Sequence, residues 1–96
     1  MVRRADMTWE LAETVAIQAL SFIAQEPERL GRFLALTGLG PDSIRAAAGD
    51  PNFLVGVLDH VAGDEQLLLA FADQTQIDPA AVTLARGALA TAPKAP

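Results

Sequence analysis

The chain spells one turn twice, at a fixed offset of 38 residues. Phe33-Leu34-Ala35-Leu36-Thr37-Gly38-Leu39-Gly40-Pro41-Asp42-Ser43-Ile44 returns as Phe71-Ala72-Asp73-Gln74-Thr75-Gln76-Ile77-Asp78-Pro79-Ala80-Ala81-Val82. Each copy reads as the end of an amphipathic helix, a buried Leu or Ile, a Pro at the next helix start and a β-branched anchor. The register extends without a gap from residues 19–49 onto residues 57–87. It pairs Leu20 with Leu58, Ala24 with Ala62, Leu30 with Leu68, Thr37 with Thr75, Ala47 with Ala85 and Gly49 with Gly87. Conservative pairs fill in: Ile23/Val61, Glu26/Asp64, Leu39/Ile77 and Ile44/Val82. Those positions supply core, cap and turn, and a unit so short closes no core alone. The expectation is one compact all-α domain over residues 1–96, built from about six short helices as two tandem three-helix units packed together. Residues 1–6 and 92–96 are expected as frayed tails.

Composition agrees. Apolar residues make up 51% of the 96 and charged residues 20%, which is a globular rather than a disordered balance. Tyr is absent, and Val, Ile and Phe are too scattered for strands.

The first helix runs from about Thr8, as N-cap, to Ala24. Its polar stripe of Glu10, Glu13/Thr14, Gln18, Ser21 and Gln25 is narrow, so this helix is expected to be surrounded by the others. Glu26-Pro27 restarts the chain. The second helix, Pro27 to Thr37, turns Leu30, Phe33, Leu34 and Thr37 inward and Glu28, Arg29 and Arg32 outward, and Gly38 is a left-handed C-cap. A short third helix spans about Pro41 to Ala48. Asp50-Pro51 opens the fourth, with Phe53, Leu54, Val57, Leu58 and Val61 inward and Gly63 as its stop. Asp64 caps a fifth helix reaching about Gln74, and Asp78-Pro79 starts a sixth running to about Thr91, with Val82, Ala85 and Leu89 inward.

From about Thr14 to Leu89 the sequence resembles a family of small bacterial proteins defined as a domain of unknown function. The resemblance is carried by Ala19-Leu20-Ser21-Phe22-Ile23-Ala24, Pro27-Glu28-Arg29-Leu30-Gly31-Arg32-Phe33-Leu34, Thr37-Gly38-Leu39-Gly40-Pro41, Phe53-Leu54 and Asp64-Glu65. It implies no activity, cofactor or catalytic residue, and it suggests a link to signalling.

Chemistry is hard to assemble from these residues. No Cys is present, and one His cannot build a Ser-His-acid set with Ser21 or Ser43. Asp59, His60, Asp64 and Glu65 are the nearest metal candidate, but Gly63 breaks the helix between them. His60 falls opposite Phe22 in the register, which favours a half-buried structural role. Gly38-Leu39-Gly40 follows a helix, not a strand, and lacks a third Gly, so it is no nucleotide loop. Trp9 reads as a core lid. No enzyme, metal or cofactor is expected.

Seven basic against twelve acidic residues give a net charge of −5, which repels phosphate backbones and anionic membranes. Arg3 and Arg4 are followed by Asp6, Glu10 and Glu13 where a signal peptide needs apolar residues, so a cytoplasmic protein is expected. The leading functional expectation is a non-catalytic protein–protein interaction module, binding a partner or its own copy as a homodimer. The second and fifth helices diverge most on their outer faces. Arg29, Gly31 and Arg32 become Leu67, Leu69 and Ala70, and that apolar surplus is the candidate partner surface. The alternative is nucleic-acid binding. Leu34 to Leu39 followed by Ile44-Arg45 resembles a helix-turn-helix, with Arg29, Arg32 and Arg45 as its basic patch.

Overall fold

A computed structural model describes residues 7–91; the expected tails at 1–6 and 92–96 lie outside the described residues. The described residues form helices and turns. They are α1 (Trp9–Ala24), α2 (Pro27–Thr37), a single 3-10 turn (Pro41–Ser43) leading into α3 (Ile44–Ala47), α4 (Pro51–Ala62), α5 (Glu65–Thr75) and α6 (Pro79–Thr91).

Local chemistry sets nearly every boundary. Thr8 Oγ1 accepts from the Leu11 amide at 3.0 Å, Asp50 Oδ1 from Asn52 at 2.9 Å, and Asp64 Oδ1 from Leu67 at 3.2 Å. Each pairs an amide that the first helical turn leaves without a partner. Pro27, Pro51 and Pro79 occupy first positions, where no amide is needed. Gly63 ends α4 in right-handed geometry rather than by turning left. A Cβ there would lie 3.1 Å from the Asp59 carbonyl oxygen, a tight approach that glycine avoids. The expected single helix from Pro41 to Ala48 is instead a 3-10 turn and one turn of α-helix. Gly40 brings no side chain to cap it, and the chain turns away at Ala48-Gly49.

The two similar turns carry the same bonds. Thr37 Oγ1 donates to the Phe33 carbonyl at 2.9 Å, and Thr75 Oγ1 to the Phe71 carbonyl at 2.7 Å. The amides of Leu39 and Ile77 donate to those hydroxyls at 3.4 and 3.3 Å. Gly38 and Gln76 donate to the Leu34 and Ala72 carbonyls, both at 2.8 Å, and both residues are left-handed, with φ of 75° and 60°. Glycine adopts that conformation freely, whereas a residue with a Cβ is strained by about 1 kcal/mol. Gln76 offsets part of this with a side-chain bond, Nε2 to the Asp73 carbonyl at 2.6 Å.

α1, α4 and α6 make the most extensive mutual contacts and form the centre. Ala12, Ala16 and Ala19 of α1 are fully buried and let its neighbours approach closely. Leu54, Val57, Leu58 and Val61 of α4 and Val82, Ala85 and Leu89 of α6 complete the core. α2 and α5 each bury a single residue, Phe33 and Phe71. Phe71 meets Phe22 edge-on at 5.5 Å, and Phe33 meets Phe53 at 5.9 Å. Ile44 and Ala47 are half-buried where Val82 and Ala85 are fully buried, because α3 stops after one turn and α6 runs on across α1 and α4.

Three expectations need correction. α1 is not surrounded: Leu11 and Ile17 are exposed. The molecule is a slab of 35 × 32 × 17 Å, about two helix layers thick, and that leaves one side of α1 open. Thr37 faces outward, its hydroxyl satisfied by its own helix. Arg29 turns inward instead of outward, for a reason given below. No helix among the described residues is long and apolar enough to cross a membrane.

Candidate partner-binding surfaces

On α5, Leu67, Leu68 and Leu69 sweep about 200° of arc at 100° per residue, more than one neighbouring face can cover. Leu67 and Leu68 pack half-buried against the core, as does Ala70, and Leu69 is left outside at 54% exposure. The candidate surface Leu67, Leu69 and Ala70 is therefore split by the fold, with one leucine facing solvent. Leu36 on α2 is more exposed still, at 70%. Sequence reading passed over it, although its register partner is Gln74, a residue at home in water.

The candidate basic patch divides in the same way. The guanidinium of Arg29 lies 4.1 Å above the centre of the Phe22 ring. Its Nη1 donates to the Phe22 carbonyl at 3.4 Å, and its Nη2 lies 3.5 Å from Glu26. Arg29 thus closes the C-terminal end of α1, where unpaired carbonyls carry partial negative charge, and it is taken out of any basic face. Arg32 and Arg45 remain exposed.

His60 is half-buried at the end of α4, its ring edge-on to Phe33 at 5.2 Å. Burial lowers its pKa from the ordinary value; nearby Asp64 opposes the shift and Arg32 adds to it. Around it the carboxylates have other work. Asp64 caps α5, and Asp59 Oδ1 accepts from Arg86 Nε at 2.8 Å, a bond that ties α4 to α6. Among the described residues no group of three His, Cys, Asp or Glu gathers to hold a metal.

A cleft of about 350 Å³ opens between the first half of α1 and the α5–α6 turn. Met7, Leu11, Val15, Ile77 and Ala81 supply its apolar wall, and Thr14, Gln18, Thr75, Gln76 and Asp78 its polar edge. No sequence motif announced it, because it joins residues about 60 positions apart across a tertiary contact. The strained Gln76 of the second turn sits on its rim.

The chain belongs to the family described as protein of unknown function DUF3572, whose model matches residues 9–92. No curated protein and no solved structure matches it.

Proposed function

We propose that this member of a family of unknown function is a non-catalytic helical interaction module, acting in the cytoplasm. It contacts a protein partner, or a second copy of itself, through the outer face of α5. The observation that supports this is Leu69, more than half exposed on a helix whose neighbouring Leu67 and Leu68 are half-buried against the core. Burying one such leucine at an interface contributes on the order of 1–2 kcal/mol.

The reading includes an origin for the surface. Residues 19–49 and 57–87 are taken as copies of one unit. Several paired positions agree in burial: Ile23 and Val61 are fully buried, as are Phe33 and Phe71, and Leu30 and Leu68 are half-buried; Ile44/Val82 and Ala47/Ala85 differ, where α3 stops short. The face bearing Leu69 is where the copies differ. Its counterpart in the first copy is Gly31, which has no side chain to offer.

Light scattering together with capture of co-purifying protein tests the reading. Leu69→Glu is expected to lower the associated mass or abolish capture while leaving the helical content intact. Leu69→Glu behaving like wild type in both measurements overturns it. Nucleic-acid binding through residues 37–48 has less behind it, since α3 offers one helical turn and Arg29 is engaged with Phe22. A salt-sensitive duplex shift that Arg45→Ala removes is the outcome that would restore it.

A further inference from the structure

The cleft between α1 and the α5–α6 turn carries an inference of its own, and Leu69 is not among its lining residues. Its volume, about 350 Å³, lies at the small end of the range for binding cavities. Leu11 is 43% exposed there, although the core beside it is well filled.

The polar atoms at the edge are mostly committed. Thr14 Oγ1 donates to the Glu10 carbonyl and Thr75 Oγ1 to the Phe71 carbonyl. Gln76 Nε2 is held by the Asp73 carbonyl, and Asp78 Oδ1 accepts from the Ala80 amide. Of the residues that line the cleft, Asp78 alone carries a charge, and the Gln18 and Gln76 amides are neutral. The cations among the described residues are Arg29, Arg32, Arg45 and Arg86, and none of them lines the cleft. Gln76 keeps its place there in a left-handed conformation for which the other turn uses Gly38. Among the described residues the cleft is an apolar wall edged by one carboxylate and no cation, which is complementary to an apolar group that brings its own positive charge. Leu11, Thr14, Gln18, Gln76 and Asp78 are all exposed, so the cleft is open along its length, which suits a segment of chain more than an enclosed small molecule.

We infer that this cleft docks an apolar side chain of a partner protein, flanked in the partner's sequence by Lys or Arg. The inference rests on the reading of the chain as an interaction module and assigns that module a partner chemistry at a site separate from Leu69.

The test is an NMR titration of the full chain with a short acetylated peptide carrying one phenylalanine between two lysines. Two control peptides replace the phenylalanine by serine or both lysines by glutamate. The largest amide shifts are expected at Leu11, Thr14, Gln18, Gln76 and Ile77, with both controls binding at least about tenfold more weakly. Asp78→Asn keeps the Oδ1 cap and removes the charge, and is expected to weaken binding about three- to tenfold. Leu11→Ser should weaken it on the order of tenfold. Equal binding of the glutamate peptide overturns the inference, as does the absence of shifts at millimolar peptide. Shifts that fall on α5 and vanish in Leu69→Glu also overturn it, while supporting the α5 surface. If light scattering instead eliminates the α5 surface, a titration mapping to the cleft still stands.

Discussion

Exchanging the residues at the two left-handed positions is a direct test of how the paired turns work. Gly38 and Gln76 share their φ region and their amide bond to the fourth carbonyl back, and differ in having a side chain. A Cβ placed on Gly38 meets nothing within 4 Å, so Gly38→Gln introduces torsional strain and no clash. That strain costs about 1–2 kcal/mol, less about 0.5 kcal/mol because glycine leaves the unfolded chain more entropy to lose. Gly38→Gln is therefore expected to destabilise by about 1 kcal/mol. Gln76→Gly runs the other way, gaining the strain relief and losing the exposed Gln76–Asp73 bond, which contributes about 0.5 kcal/mol. Its expected net effect lies between neutrality and about 1 kcal/mol of stabilisation. Urea denaturation at constant m-value reads both differences, and a melt should place Gly38→Gln about 4–8 °C below wild type. A neutral Gly38→Gln, or a Gln76→Gly that destabilises by about 1 kcal/mol, would refute the torsional account and give the Gln76 side chain a larger structural role.

Two further outcomes follow from the core and from His60. Phe33→Ala and Phe71→Ala each remove the one residue that α2 or α5 buries, and each is expected to cost about 3–5 kcal/mol in denaturant titration, against a total of about 5–10 for a domain this size. A loss under about 1.5 kcal/mol in either would show that the helix is held by its half-buried residues instead. Burial lowers the pKa of His60 in the folded state, so the unfolded chain binds the extra proton first as pH falls through about 6.5. Its contribution is full above that value and declines towards the lowered folded pKa. Wild type is thus expected to lose more stability than His60→Gln between about pH 7.5 and 5.5. Parallel profiles for the two proteins would rule that linkage out.

The helix plan was legible because its signals act over a few residues. Thr8, Asp50 and Asp64 cap helices through bonds spanning two or three positions, and Pro27, Pro51 and Pro79 start helices by local geometry alone. Membership of a family of helical chains was legible for the same reason, being carried by caps and helix faces. The helical stretch from Pro41 ends at Ala47, next to Gly49, as residue order indicates; that its first turn is 3-10 rather than α was not legible, since Gly40 supplies no side-chain cap to mark the difference.

Exposure was less legible, since it depends on neighbours far off in the sequence. The run Leu67-Leu68-Leu69 showed that α5 has more apolar surface than one face can hide; only packing chose Leu69 as the residue left outside. Arg29 looked like a surface cation until α1 brought Phe22 beneath its guanidinium. The cleft needed α1 and the α5–α6 turn side by side before it existed at all. Helix starts, stops and paired turns are properties of short stretches and can be read from residue order. Which face of each helix meets solvent is settled by how six helices share one thin slab, and any binding surface on this protein belongs to that second kind of fact.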